Sequence, residues 1–128
     1  MKITQFTDYS LRLLIYLAKR RDRISTVREI AEFYDISSEH LKKVVRHLSE
    51  LGHIRTVRGK KGGLALAREP AEINVGQLVR QSENLNLLPC HEAGDTCPIE
   101  ACHLRALTDI ARDAFLAVFD DKTLADIV

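Results

Sequence analysis

A mainly α-helical chain with one small β-hairpin is the fold class this sequence predicts, and three features predict it. Segments within residues 6–20, 27–34, 38–51 and 74–83 place apolar side chains at helical spacing. The stretch HIRTVRGKKGGLALA at 53–67 sets a glycine-rich, basic centre between two short apolar runs, as a hairpin does. Residues 103–120 then carry an unbroken helical pattern. With 128 residues, 45% of them hydrophobic and 29% charged, the chain fits one domain with a real core.

Each element has its own signal. In the first helix Phe6, Tyr9, Leu13, Tyr16 and Leu17 share a face, and Leu11, Leu14, Ile15 and Ala18 widen it, so more than one side is covered. KRRDR at 19–23 is a polar connector. Thr26 and Glu29 form a capping-box pair ahead of Val27, Ile30, Ala31 and Tyr34. Asp35-Ile36-Ser37 is a tight break, with Ser37 or Ser38 available to cap the next helix. That helix buries Leu41, Val44, Val45, Leu48 and Leu51, and Gly52 ends it. Val75, Leu78 and Val79 mark the short fourth helix. At about 1.5 Å per residue the helix over 103–120 is roughly 27 Å long, more than one small domain needs, so it suits pairing with a second chain.

Two short helices, a tight turn and a hairpin in this order make a winged helix-turn-helix over residues 1–70. Its second helix is built to enter a major groove. The candidate DNA-binding residues are Ser38, His40, Lys42, Lys43 and Arg46 on that helix, and Arg58, Lys60 and Lys61 at the hairpin tip. Charge agrees: residues 1–70 hold 15 Lys and Arg against 8 Asp and Glu, whereas 71–128 hold 4 against 10. A solvated imbalance is the plainer explanation of charge alone. No paired-carboxylate motif, nucleophile elbow or phosphate loop argues for an enzyme. No apolar run reaches the ~18–20 residues of a membrane span, and MKITQFTDYS does not read as a signal peptide. The expectation is a cytoplasmic protein with reduced thiols and no membrane partner.

Residues 71–102 form a linker helix and a cysteine loop, and 103–128 a dimerisation helix and tail. CHEAGDTCPIEACHLR at 90–105 contains every cysteine of the chain: Cys90, Cys97 and Cys102. The spacing lacks the C-x-x-C step of zinc knuckles and suits a larger metal unit such as an iron–sulfur cluster. Zinc, a redox switch and structural thiols remain open on spacing alone. Three thiolates leave one ligand position free. His91 and His103 flank the loop, and solvent exposure is the simplest expectation for both.

FTDYSLRLLIYLA, VRGKKGGLALA, CPIEACHLR and FDDKTLADIV resemble the Rrf-two family of bacterial winged-helix regulators, and within it the nitric-oxide-sensing repressors. The resemblance runs over essentially the whole chain. It implies a homodimeric repressor on a roughly palindromic DNA operator. It also implies an iron–sulfur cluster, 4Fe-4S or alternatively 2Fe-2S, on Cys90, Cys97 and Cys102. The fourth ligand implied is Asp8 from the partner subunit, and nitric oxide is the signal. Without the resemblance Asp8 is simply a first-turn carboxylate favoured by the helix dipole. An iron-responsive branch carries asparagine at the position of Asp8, and another branch uses a histidine where this chain has Arg105. Sensing of iron or cluster status is thus the alternative within the family. The family usually places about five residues between the second and third cysteines; here there are four, PIEA.

Overall fold

The computed structural model describes residues 1–94 and 97–128; Asp95 and Thr96, inside the cysteine stretch, lie outside the described residues. The helices are α1 (Gln5–Ala18), α2 (Val27–Tyr34), α3 (Ser38–Glu50), α4 (Val75–Ser82) and α5 (His103–Asp120). Strands β1 (Ile54–Val57) and β2 (Gly63–Leu66) pair antiparallel, Ile54 opposite Leu66 and Val57 opposite Gly63. The result is a mainly helical winged helix with a hairpin wing and a long C-terminal helix. Short 3-10 turns at Pro70–Glu72, Pro89–His91 and Leu124–Ile127 complete the order.

Local chemistry explains the boundaries. Thr26 and Glu29 close the capping box reciprocally at the start of α2. Asp35 ends α2 in the left-handed conformation at φ 53°, which turns the chain sharply into α3. Ser37 stands at the N-cap of α3, but its side chain makes no capping hydrogen bond, which departs from the expected serine cap. Gly52, at φ 75°, ends α3: the Gly52 N–H donates to the Ser49 carbonyl and the His53 N–H to that of Leu48.

The main core lies where α1, α2 and α3 meet the wing. Leu13, Leu14, Leu17, Ile30, Leu41, Leu48, Ile54 and Leu64 are buried there. Ser25 bonds both ways with Leu64 and adds a one-residue third rung to the wing. A second cluster, Val75, Val79 and Leu116, fastens α4 to α5. The chain returns after α5, where the Val75 N–H donates to Lys122 O and the Leu124 N–H to Ile73 O.

Leu116 is the one buried residue of α5. Leu104, Leu107, Ile110 and Val118 are exposed, at 56%, 62%, 66% and 68%. Among the described residues no helix is long and apolar enough to cross a membrane.

Candidate nucleic-acid interface and cysteine site

The buried stripe Leu41, Val44 and Leu48 fixes the rotation of α3, which turns Ser38, His40, Lys42, Lys43 and Arg46 to solvent. Lys42 pairs with Glu39 at 2.9 Å and Arg46 with Glu50 at 3.0 Å, both exposed and therefore cheap to exchange for phosphate. Among the described residues Lys43, Arg58, Lys60 and Lys61 have no ion-pair partner. The three wing-tip cations are exposed, and exposed Arg55 on β1 extends the basic surface.

His47 of α3 turns toward α1 and α4. Its ring meets that of Phe6 edge-on at 5.1 Å and shares a 3.1 Å hydrogen bond with Ser82. Phe6 and Tyr9 of α1 also line a small cavity with His40, Lys43 and Val44, and the Phe6–His47 ring pair brings α1 against α3.

His53 links α3 to the wing and is 4% exposed, with no hydrogen-bond partner for either ring nitrogen among the described residues. Burial, then the positive charge of Arg68, pushes its pKa below the ordinary 6.5. The unfolded chain therefore binds a proton below pH 6.5 that the folded chain resists. Stability is full above 6.5 and falls as pH drops through 6.5 toward the folded value. Denaturant midpoints between pH 7.5 and 5.5 should fall in the wild type and flatten in His53→Gln.

The second site is the cysteine loop. Cys90, Cys97 and Cys102 are free thiols, and all three line one cavity of about 570 Å³ with Ile99, Ala101, His103, Arg105, Ala106 and Asp109. Cys102 is the N-cap residue of α5, where free backbone N–H groups favour negative charge. Ala101 takes the left-handed conformation at φ 49° and turns the short PIEA link into that cap. For a residue other than glycine this costs on the order of 1–2 kcal/mol. Among the described residues no three metal-ligating groups converge as for a single ion. Three thiols spaced around one cavity fit the sulfur donor set of an iron–sulfur cluster.

The flanking histidines divide. His103 is exposed as expected, whereas the His91 side chain is 4% exposed and does not line the cavity. Asp8 lies in the first turn of α1, where Arg12 Nε donates to both of its carboxylate oxygens at 2.9 and 2.8 Å. It lines a separate cavity with Lys2, Ile3, Gln5, Leu11 and Arg12, which shares no residue with the cysteine cavity. Within one chain Asp8 and the three cysteines thus line different cavities.

A basic reading helix, a hairpin wing and a separate thiol-lined loop define a winged-helix transcriptional regulator. The chain belongs to the Rrf2 family, described as iron-dependent transcriptional regulators, whose pattern matches residues 3–128. It is 44% identical to the HTH-type transcriptional regulator NsrR of Bacillus subtilis (strain 168) over 132 aligned positions, covering 100% of this chain and 90% of that protein. The NsrR of Shouchella clausii is also 44% identical, with 100% and 89% covered. Among solved structures, the oxidized form of Staphylococcus aureus CymR matches with a TM-score of 0.77 at 33% identity, covering 97% and 93%. T. potens IscR matches with a TM-score of 0.80 at 24% identity, covering 99% and 85%, and so shares the fold.

Proposed function

We propose that the protein is a homodimeric, cytoplasmic repressor whose grip on DNA is set by an iron–sulfur cluster that reacts with nitric oxide. The carrying observation is the shared cavity of Cys90, Cys97 and Cys102, combined with full-length similarity to NsrR regulators. In this reading residues 1–70 read DNA, 71–102 sense and 103–128 pair two chains.

Ser38, His40, Lys42, Lys43 and Arg46 face base edges and phosphates of a major groove. Arg58, Lys60 and Lys61 grip the flanking backbone. Two copies read half-sites of a roughly palindromic operator about 10 base pairs apart. The exposed apolar stripe of α5 is the surface that pairs them.

Cys90, Cys97 and Cys102 hold the cluster, 4Fe-4S or alternatively 2Fe-2S. Asp8 of the opposite chain supplies the fourth ligand. A bound cluster contributes iron that combines with nitric oxide. Carboxylate oxygen suits such iron less well than thiolate, so Asp8 is the ligand most easily displaced. Its released carboxylate already has an ion-pair partner in Arg12, whose Nε–H is shared between both oxygens. Asp8 is followed by Tyr9, which lines one cavity with His40 and Lys43, so loss of the ligand alters the seating of α1 on α3 and weakens the hold on DNA.

The test is an absorption spectrum of anaerobically purified protein before and after stepwise nitric oxide, with binding to a duplex selected from random DNA. A brown protein that loses its iron–sulfur band and its duplex together supports the reading. In Asp8→Ala the fold should persist while release by nitric oxide is blunted; unchanged sensitivity counts against the ligand role. A brown protein indifferent to nitric oxide supports iron or cluster-status sensing instead. A colourless protein after attempted cluster reconstitution returns the thiols to zinc or redox chemistry.

A further inference from the structure

We propose that His91 is a positioning residue: it pins Cys90 to α5, so that two of the three thiols are referenced to one rigid helix and the third is set by the loop between them. The proposal deepens the reading of the three cysteines as one ligand set and rests on it.

Cys90 and His91 share the 3-10 turn Pro89–His91, closed by the His91 N–H on Leu88 O and the Glu92 N–H on Pro89 O, both at 3.0 Å. Pro89 fixes its own φ and stiffens the turn. Moving the His91 ring therefore moves Cys90.

The ring is held from α5. His91 Nε2 lies 3.2 Å from Thr108 Oγ1, and Thr108 Oγ1 lies 2.9 Å from the Arg105 carbonyl. A carbonyl only accepts, so the single hydroxyl proton of Thr108 goes to Arg105 O. The same hydroxyl then accepts from Nε2–H, which assigns the tautomer. Asp109 Oδ1, 3.9 Å from Nε2, stands on the same side and is itself held by Arg112 at 3.0 Å.

This tautomer leaves Nδ1 as a bare acceptor. Nδ1 is buried and has no hydrogen-bond partner among the described residues. Glu92 and Ala93, the next two residues, are exposed. An imidazole in so open a stretch would ordinarily keep both nitrogens wet, and an orphaned buried nitrogen calls for a reason. Fixing Cys90 is that reason: the ring is outside the cavity the cysteines line, so it is a support beside them and not a ligand.

Thr108 belongs to the helix that Cys102 begins, so Cys90 and Cys102 share one frame of reference. Cys97, exposed, sits on the link between them.

The experiment uses metal-free protein under limiting iodoacetamide, with alkylation of each cysteine quantified separately by mass spectrometry. Exposed Cys97 is the internal reference. In the wild type Cys90 should react about fivefold or more slower than Cys97, the protection a single net hydrogen bond provides. His91→Phe and Thr108→Val should raise Cys90 to the Cys97 rate and leave Cys102 unchanged. His91→Gln and Thr108→Ser, which keep a donor and an acceptor, should restore protection even if the first pair folds poorly. Unmoved Cys90 rates, or Cys90 and Cys102 accelerating together, would overturn the proposal. Cys90-selective release in a protein that never takes up iron would refute the cluster reading and leave the pin standing.

Discussion

With the α5 stripe as the proposed pairing surface, Leu107→Asp is expected to leave monomers and to lower operator affinity by about 100-fold or more. Leu104, Leu107, Ala111, Ala114 and Val118 follow each other at steps of three and four along α5, with Ile110 beside them. The stripe is about 21 Å long at ~1.5 Å per residue. Its alanines allow a facing helix to approach closely, and its leucines and valine supply the apolar area. A carboxylate at the centre of such a seam would lose water without gaining a partner, at a cost of several kcal/mol. The monomer itself should fold normally, because Leu107 is 62% exposed and contributes little to its own core. Affinity falls because two linked reading heads raise each other's effective concentration, worth about 10²–10⁴ in binding. Sedimentation and a duplex titration check both halves. A dimer that survives the substitution would move the pairing surface elsewhere.

Gly76→Ala should cost about 1–3 kcal/mol, a large share of the 5–15 kcal/mol that holds a domain together. A Cβ at Gly76 would meet Asp120 Oδ1 and would stand 2.8 Å from the Asp120 backbone N and Cα. Backbone at that distance cannot yield as a flexible side chain would. Asp120 is also anchored: Arg80 grips its carboxylate from two nitrogens and holds it below the usual carboxylate range, while Asn74 Nδ2 donates to its carbonyl at 2.8 Å. The added methyl must therefore push α5 away from α4. The denaturant midpoint reports the stability loss. Because Cys102 caps α5 and Thr108 lies on it, the substitution should also loosen the cysteine loop.

Much of this architecture is legible in the sequence. The 103–120 pattern coincides with α5, and RGKKG falls between the paired strands, with Gly63 opening the second. Thr26 and Glu29 close the capping box their spacing announced. Local rules decide these features: periodicity, reciprocal capping, and the tolerance of glycine for a tight turn. The exposed polar face of α3 is legible for the same reason, since burying Leu41, Val44 and Leu48 leaves their neighbours outside.

Long-range packing decided the rest. His47 sits at a polar position of α3, yet Phe6 and Ser82, far away along the chain, draw it inward. His91 lies among polar residues, yet a hydroxyl 17 positions later buries it. Asp8 and Arg12 were four apart on paper, but only the fold shows that their cavity is separate from that of the cysteines. By itself the sequence determined which elements form, which face of α3 carries charge, and that three thiols stand together, because each depends on residues a few positions apart. Tertiary structure alone decided which histidines are buried, how Cys90 is tied to α5, and that α5 keeps an apolar stripe uncovered. Those outcomes depend on which distant surfaces meet, and no local pattern encodes that.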